Sequence, residues 1–435
     1  MIRIKPHSFS GPRAYFTAFD YRIVSRTEDL TTLEKNVERR LKILLLFKTN
    51  IVCAASHLTS DFAIRFFKKN EFLLEDGCLI PALREDKSTF EDLFNKKNDP
   101  LKKEKSNFLN SKIQKVVDWQ LDENSMWFRN RFIEELESSN SLLRKSLMDI
   151  SEIELNYIIK ELKSTEILSR QLIEDVANKY SKKNKLILLN FRELLYHISG
   201  ARVVKCESHL PQENYIDYDL VDYSQQRTRL SEETILWKLF IELAFESFQK
   251  EILPIEVIDI LSFKDILEIR KPLTEKGFQN EYDSLVKMSM PSNEHNLSSW
   301  FFDINKLEEI RLKLLSSFKE VFENELPKFL KKKYKDNIKE FRSNGISFSL
   351  GLVGSIPGVG NLPSIISTIK DSPAFYMNLG ELYNSLQAIK EIDNYQKERE
   401  KLLKKTILNT NISNKPLMLE MVELLTNTIS ERIRL

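Results

Sequence analysis

Residues 51–83 read IVCAASHLTSDFAIRFFKKNEFLLEDGCLIPAL, and the order of elements in this stretch decides the fold class of the amino-terminal part. Ile51–Ser56 is a short apolar run of strand length. Thr59 or Ser60 can cap a helix that carries Phe62, Ile64, Phe66 and Phe67 and runs to about Leu74. Asp76-Gly77 is turn chemistry, and Cys78–Leu83 reads as a second strand. Pro81 has no amide to donate to a ladder, which suits that strand to a sheet edge. Strand, helix, strand in this order predicts a small α/β unit.

Working outward, Ala14–Ser25 is rich in aromatic and β-branched residues and predicts another strand, with a helix over Asp29–Phe47. Residues 1–100 form the expected α/β region, and the Lys- and Asn-rich stretch 84–110 reads as a linker or an exposed helix. From about residue 107 the helical period dominates. Ser151-Glu152-Ile153-Glu154 is a capping-box pattern, followed by Leu155, Ile158, Ile159 and Leu162 on one helix face. Ile235–Phe248 is apolar almost all round, as in a buried helix. Leu307, Ile310, Leu314, Phe318 and Val321 repeat as a core stripe. Phe375, Leu379, Leu382, Leu386 and Ile389 suggest one arm of a helix pair, and Asn414 with Pro416 starts a terminal helix over Leu417–Leu435. The expected fold is mainly α: a multi-helix assembly with a small α/β N-terminal region (1–100), a helical domain (101–342), and a Gly/Pro-rich helical hairpin with C-terminal helices (343–435).

Bulk composition agrees with a helical chain. Only 10 Gly and 13 Pro occur in 435 residues, about half the roughly 12% of average usage. Lys and Arg number 66 against 64 Asp and Glu, so no global field draws the protein to nucleic acid or membrane. Cys53, Cys78 and Cys206 are far apart and form no CxxC pair, which excludes zinc-ribbon and thioredoxin-like chemistry and fits a reducing compartment. The first residues, MIRIKPHSFSGPRAYF, lack the apolar core of a secretory signal, so the expected location is cytoplasmic, extending to the inner face of the membrane.

Half of the glycines fall together. Gly345, Gly351, Gly354, Gly358 and Gly360 lie in Ser343–Ile369, which is free of charge over 27 residues. The preceding Lys328–Arg342, including Lys331, Lys332, Lys333 and Lys335, carries net +5. An uncharged segment beside a basic flank is the pattern of a membrane contact anchored on its cytoplasmic side, or of a partner-helix contact. Each arm beside Pro357 is too short to cross a bilayer core of about 30 Å, so the segment reads as a hairpin or a kinked helix. A buried tight turn between two helices, with Pro357-Gly358 as turn residues, fits the same sequence. A basic run can also meet nucleic acid, so the expected partners are a protein or a second copy, a membrane surface, and more weakly nucleic acid.

Five histidines, His7, His57, His197, His209 and His295, show no HxxxH or HExxH spacing, so neither a metal nor a cofactor is expected. Arg192-Glu193-Leu194-Leu195-Tyr196-His197 has the Arg-x4-His form and resembles the active-site motif of HEPN-type ribonucleases. That resemblance implies a helical dimer in which Arg192 stabilises RNA phosphate charge and His197 does acid–base work. The sequence departs from the family at Glu193, where Asn, Asp or His is commoner. Read from its own periodicity, the same stretch is an amphipathic helix with Leu186, Ile187, Leu189, Phe191, Leu194 and Leu195 inward and Arg192 exposed. The run Ile43–Glu85 together with the C-terminal glycine-rich segment resembles uncharacterised bacterial antiviral proteins of the abortive-infection type. This implies a cytosolic effector or sensor of infection, and the expected function is a non-enzymatic helical interaction protein whose segment 343–369 contacts a membrane or a partner helix.

Overall fold

A computed structural model describes residues 1–8, 11–20, 29–94, 100–139, 141, 143–144, 147, 149–209, 258–259, 261–289, 304–324, 395–409 and 415–426. The chain divides into two compact units, Met1–Leu33 with Asn50–Tyr218, and Glu34–Thr49 with Asp219–Leu435. Most described elements are helices. The charge-free run 343–369, the basic flank 328–342, the apolar stretch 235–248 and the heptad positions 375–389 lie outside the described residues. Among the described residues no helix is long and apolar enough to cross a membrane.

The first unit is built on a six-stranded sheet. Its strands are β1 (Ile2–Ile4), β2 (Arg13–Phe16), β3 (Asn50–Ala54), β4 (Leu79–Arg84), β5 (Lys115–Trp119) and β6 (Glu207–His209), in the order β1-β5-β4-β3-β2-β6. Every recorded pairing is parallel. Strands β2 to β5 step in one direction across the sheet, and β6 then returns to the far side of β2. The crevice between β2 and β6 is therefore the point where the winding reverses, and the carboxyl ends of all strands share one edge.

Two expectations are corrected by this topology. The α/β region does not end at residue 100, because β5 and β6 come from within the stretch that reads as helical. Val116 and Val117 are consecutive and both buried, so this short strand, with Lys115 exposed and Asp118 half-buried, shows no apolar-polar alternation to mark it. Nor is β4 an edge strand, since it pairs with both β3 and β5. Pro81 is opposite Cys53 of β3, while the pairing with β5 starts one residue later, at Ala82 opposite Val117. Burial of the whole run Leu79–Leu83 outweighs a single missing donor.

The helices between these strands follow from local chemistry. Helix α1 (Leu30–Phe47) starts at Asp29, whose Oδ1 accepts from the amides of Thr31 at 2.9 Å and Thr32 at 3.1 Å. From Glu34 onward this helix belongs to the second unit. Ser60 caps α2 (Asp61–Lys69), accepting from the Ala63 amide at 3.1 Å. The helix expected to reach Leu74 breaks at Asn70 and resumes as the single turn α3 (Phe72–Glu75). Gly77 then turns the chain at φ +66°, a left-handed conformation that glycine adopts without penalty. Phe19 lies 4.9 to 6.1 Å from the rings of Phe62, Phe66 and Phe67, and this aromatic cluster covers one sheet face.

Five more helices complete the first unit: α4 (Lys102–Lys112), α5 (Leu121–Glu137), α6 (Glu152–Lys163), α7 (Arg170–Tyr180) and α8 (Lys185–Val203). Ser151 caps α6 through the Glu154 amide at 3.1 Å, and Leu155, Ile158 and Leu162 are buried as the spacing predicts. Helix α8 covers the second sheet face, where Ala201, Val203 and Val204 pack with Tyr15, Val52, Ala54, Ile80, Ala82, Val117 and Trp119.

The second unit packs α1 with α9 (Phe263–Glu275), α10 (Phe278–Ser289) and α11 (Ile304–Asn324); α12 (Tyr395–Asn409) and α13 (Lys415–Thr426) also belong to it. Phe47 lies 4.7 Å from the Tyr282 ring, and Gln279 donates to the Leu46 carbonyl at 2.9 Å. Leu307, Ile310 and Leu314 are buried, so this part of the stripe on α11 is core; the side chains of Phe318 and Val321 lie outside the described ones.

Close approach of α8 to the sheet generates a test. A Cβ on Gly200 would stand 2.6 Å from the Tyr15 hydroxyl and 2.9 Å from Trp119. In an unconstrained helix Gly→Ala gains about 1 kcal/mol. Here overpacking by about 1–3 kcal/mol outweighs that gain. Gly200→Ala is expected to lower the urea midpoint; a midpoint equal to or above wild type contradicts the packing.

Candidate functional site

Three elements deliver side chains to one carboxylate at the reversal point of the sheet. Strand β2 ends at Phe16, and a tight turn with Asp20 N–H donating to the Thr17 carbonyl at 2.9 Å brings Asp20 over the strand ends. Strand β3 ends at Ala54 and passes into the short 3-10 turn Ala55–Thr59, which buries His57. Helix α8, which leads into β6, supplies His197 with no exposed surface. The first turn of α7 adds Arg170, and Ser169 caps that helix through the Leu172 amide.

The other three converge on Asp20 Oδ2. His197 Nε2 lies 2.8 Å away, Arg170 Nη2 2.9 Å and His57 Nε2 3.2 Å. The two imidazole centroids are 5.7 Å apart and nearly perpendicular. Arg170 Nη2 also meets Glu193 Oε2 at 2.6 Å, and its guanidinium lies 3.5 Å from the Tyr196 ring centroid. Glu193 Oε1 accepts from Arg192 Nε at 2.8 Å and from Nη2 at 2.6 Å. Arg192 Nη1 in turn donates to the Arg170 carbonyl at 2.7 Å and reaches Glu174 Oε2 at 3.4 Å. Charges thus alternate from Asp20 through Arg170, Glu193 and Arg192 to Glu174.

Electrostatics fix the protonation states. Burial opposes ionisation of Asp20, but Arg170, His57 and the hydrogen bond from His197 overcome it and hold the carboxyl well below its usual range. Burial lowers the pKa of His197 against the pull of Asp20, so that imidazole is neutral at neutral pH. Desolvation disfavours charge on Arg170, yet Asp20, Tyr196 and Glu193 raise its pKa further. Around this core, several buried polar atoms lack a hydrogen-bond partner among the described residues: both nitrogens of His57, the Tyr15 hydroxyl and Trp119 Nε1. The Tyr15 ring is 6.5 Å from that of His57 and 6.1 Å from that of Trp119.

The sequence-predicted pair Arg192 and His197 is brought into one network, in separate places. His197 touches Asp20, whereas Arg192 sits in a carboxylate cage joined to it through Glu193 and Arg170. The expectation that Arg192 is exposed is corrected: it is 1% exposed, because its neighbour Glu193 turns inward with it. His57 and His197 are not isolated either. Spacing rules missed them because Asp20 and His197 are 177 positions apart and only the fold joins them. A usable signal existed in His57, which follows directly on the predicted strand Ile51–Ser56, where an α/β sheet places ligand-binding groups; Asp20 gave none, because the strand predicted over Ala14–Ser25 ends at Phe16. Gly351, Gly354, Pro357, Gly358, Gly360 and the lysines 331–335 lie outside the described residues. The chain matches no protein-family model, no curated protein and no solved structure.

Because the folded pKa of His197 is depressed, the unfolded chain binds its proton first. Stability from this group is complete above about pH 6.5 and falls as pH drops below it; that from Asp20 is lost only below about pH 3.9. Urea midpoints measured from pH 8 to pH 5 are expected to fall below about 6.5 in wild type and to lose most of that step in His197→Gln. Asp20→Asn, which leaves Arg170 short of a counter-charge, is expected to cost about 3–5 kcal/mol at pH 7. A near-neutral effect contradicts the network.

Proposed function

We propose that the α/β unit carries a hydrolytic active site centred on Asp20, His57 and His197. One observation supports this above the rest: two imidazoles and an ionised carboxylate are delivered from three separate elements to the carboxyl edge of a parallel sheet at its reversal point. Buried groups of this kind, with His57 Nδ1 unsatisfied and Nε2 against the carboxylate, suit activation of a water molecule. The water oxygen bonds to the substrate's electrophilic centre, the bond to the leaving group breaks, and the proton shed by water passes through the cluster to that leaving group. Arg170 and Glu193 act as positioning residues that hold Asp20 and the helices in register.

RNA is the first substrate to test, because Arg192-x4-His197 resembles the HEPN ribonuclease motif. In this reading His197 belongs to the reacting cluster and Arg192 acts through Glu193 and Arg170. Purified protein and its His57→Gln, His197→Gln and His7→Ala variants are to be incubated with RNA and with phosphate and carboxylic esters. Turnover is expected in wild type and in the exposed control His7→Ala, with a loss of at least about 100-fold in the other two. Equal turnover in all four, or none in wild type on any substrate, rejects the reading.

A second reading rests on the charge-free run 343–369 beside a +5 flank. It makes the chain an effector whose glycine-rich segment contacts a membrane or a partner helix, as in bacterial antiviral defence. The full chain is expected to float with anionic liposomes and to lose flotation when Lys331, Lys332, Lys333 and Lys335 become Gln. A wild-type protein that stays at the bottom of the gradient rejects membrane contact.

A further inference from the structure

We propose that Asp20, His57 and His197 bind a divalent first-row transition-metal ion, of which zinc is the reference case. This rests on the reading of the cluster as a functional centre and names the cofactor it would use.

Geometry carries the proposal. One ligand atom from each of the three residues can be chosen so that all lie within 4.8 Å of one another, and all three residues are buried. Zinc–nitrogen and zinc–oxygen bonds of about 2.0–2.2 Å in a tetrahedron set ligand atoms about 3.3–3.5 Å apart. The observed 3.2 Å between His57 Nε2 and Asp20 Oδ2 is already close to that edge. The 2.8 Å between His197 Nε2 and the same oxygen needs an opening of roughly half an ångström, once the proton between them is replaced by the cation.

The donor set points the same way. Two imidazoles and one carboxylate are a borderline ligand set, suited to zinc, iron, cobalt or manganese rather than to calcium or magnesium. Three protein ligands leave a coordination position for water, the pattern of catalytic rather than structural sites. His57 is 3% exposed, yet Nδ1 has no hydrogen-bond partner among the described residues and Nε2 has none of good geometry, only the 3.2 Å approach to Asp20 Oδ2. A buried imidazole so poorly satisfied is costly unless something absent from the protein chain completes it. Arg170 contacts the same carboxylate oxygen, but a carboxylate has about four lone-pair sites, and this guanidinium orients Asp20 as outer partners of metal ligands do.

The test uses the full chain, stripped with chelator and dialysed. Cobalt(II) titration followed by visible d–d absorption, and zinc(II) titration calorimetry, are each expected to give one site per chain. His57→Gln and His197→Gln are expected to lose both signals, and His7→Ala to keep them. Folding is checked separately by circular dichroism, and zinc is expected to raise the melting temperature of wild type but not of His57→Gln. Folded wild type that takes up neither ion overturns the proposal, as does binding that is unchanged in folded His57→Gln and His197→Gln. Ion uptake lost in these variants supports it even where no substrate is turned over, an outcome that removes the hydrolase reading alone. Hydrolysis that needs His57 and resists chelator, with no ion bound, overturns the metal site and leaves the hydrolase reading standing.

Discussion

An ionised carboxylate buried at the end of a parallel sheet is the constraint on which the first unit depends. Asp20 is 3% exposed, and a lone charge so placed would cost several kcal/mol. It is tolerated because Arg170 and His197 donate to it and His57 stands against it. Satisfying Asp20 leaves Arg170 with a second carboxylate, Glu193, and Glu193 brings Arg192 inward. Each burial therefore requires the next, and the chain of opposite charges runs outward to Glu174, which is 31% exposed. The network ties α7 and α8 to the loop after β2 more specifically than apolar packing could, because an apolar contact has no preferred partner.

Placement of this network follows from the winding of the sheet. Strands β2 to β5 are laid down in one direction and β6 on the other side of β2. The chain leaving β2 and the helix entering β6 therefore diverge around a crevice, and backbone groups there are not covered by a crossover. Small residues on the α8 face, Ala54, Ala82 and Gly200, let that helix approach closely enough for His197 to reach Asp20. Tyr15 and Trp119, alternating inward from β2 and β5, wall the same region.

Much of the α/β unit is legible in residues 51–83, because caps, turns and apolar runs there agree with one another. Ser60, Asp76-Gly77 and the two flanking strands are found where the sequence puts them. Strands β1, β5 and β6 are not legible: each is three to five residues long and is a strand only through its neighbours. Pro81 misleads for a related reason. An absent amide argues for an edge only when its side of the strand is paired, and the ladder with β5 begins just beyond it. Of the site, Arg192 and His197 can be noticed as a pair, but their pattern gives neither their burial nor their partners.

By itself the sequence determined the mainly helical class, the α/β opening, the caps that start α2 and α6, and the first half of the core stripe on α11. These depend on residues within a few positions of one another, where spacing alone fixes which side chains share a face. Tertiary structure decided the strand order, the central place of β4, and the meeting of Asp20, His57, Arg170 and His197. Contacts across 150 or more positions leave no period in the sequence. They exist because a buried charge must be matched, and only the folded sheet brings the matching groups within reach.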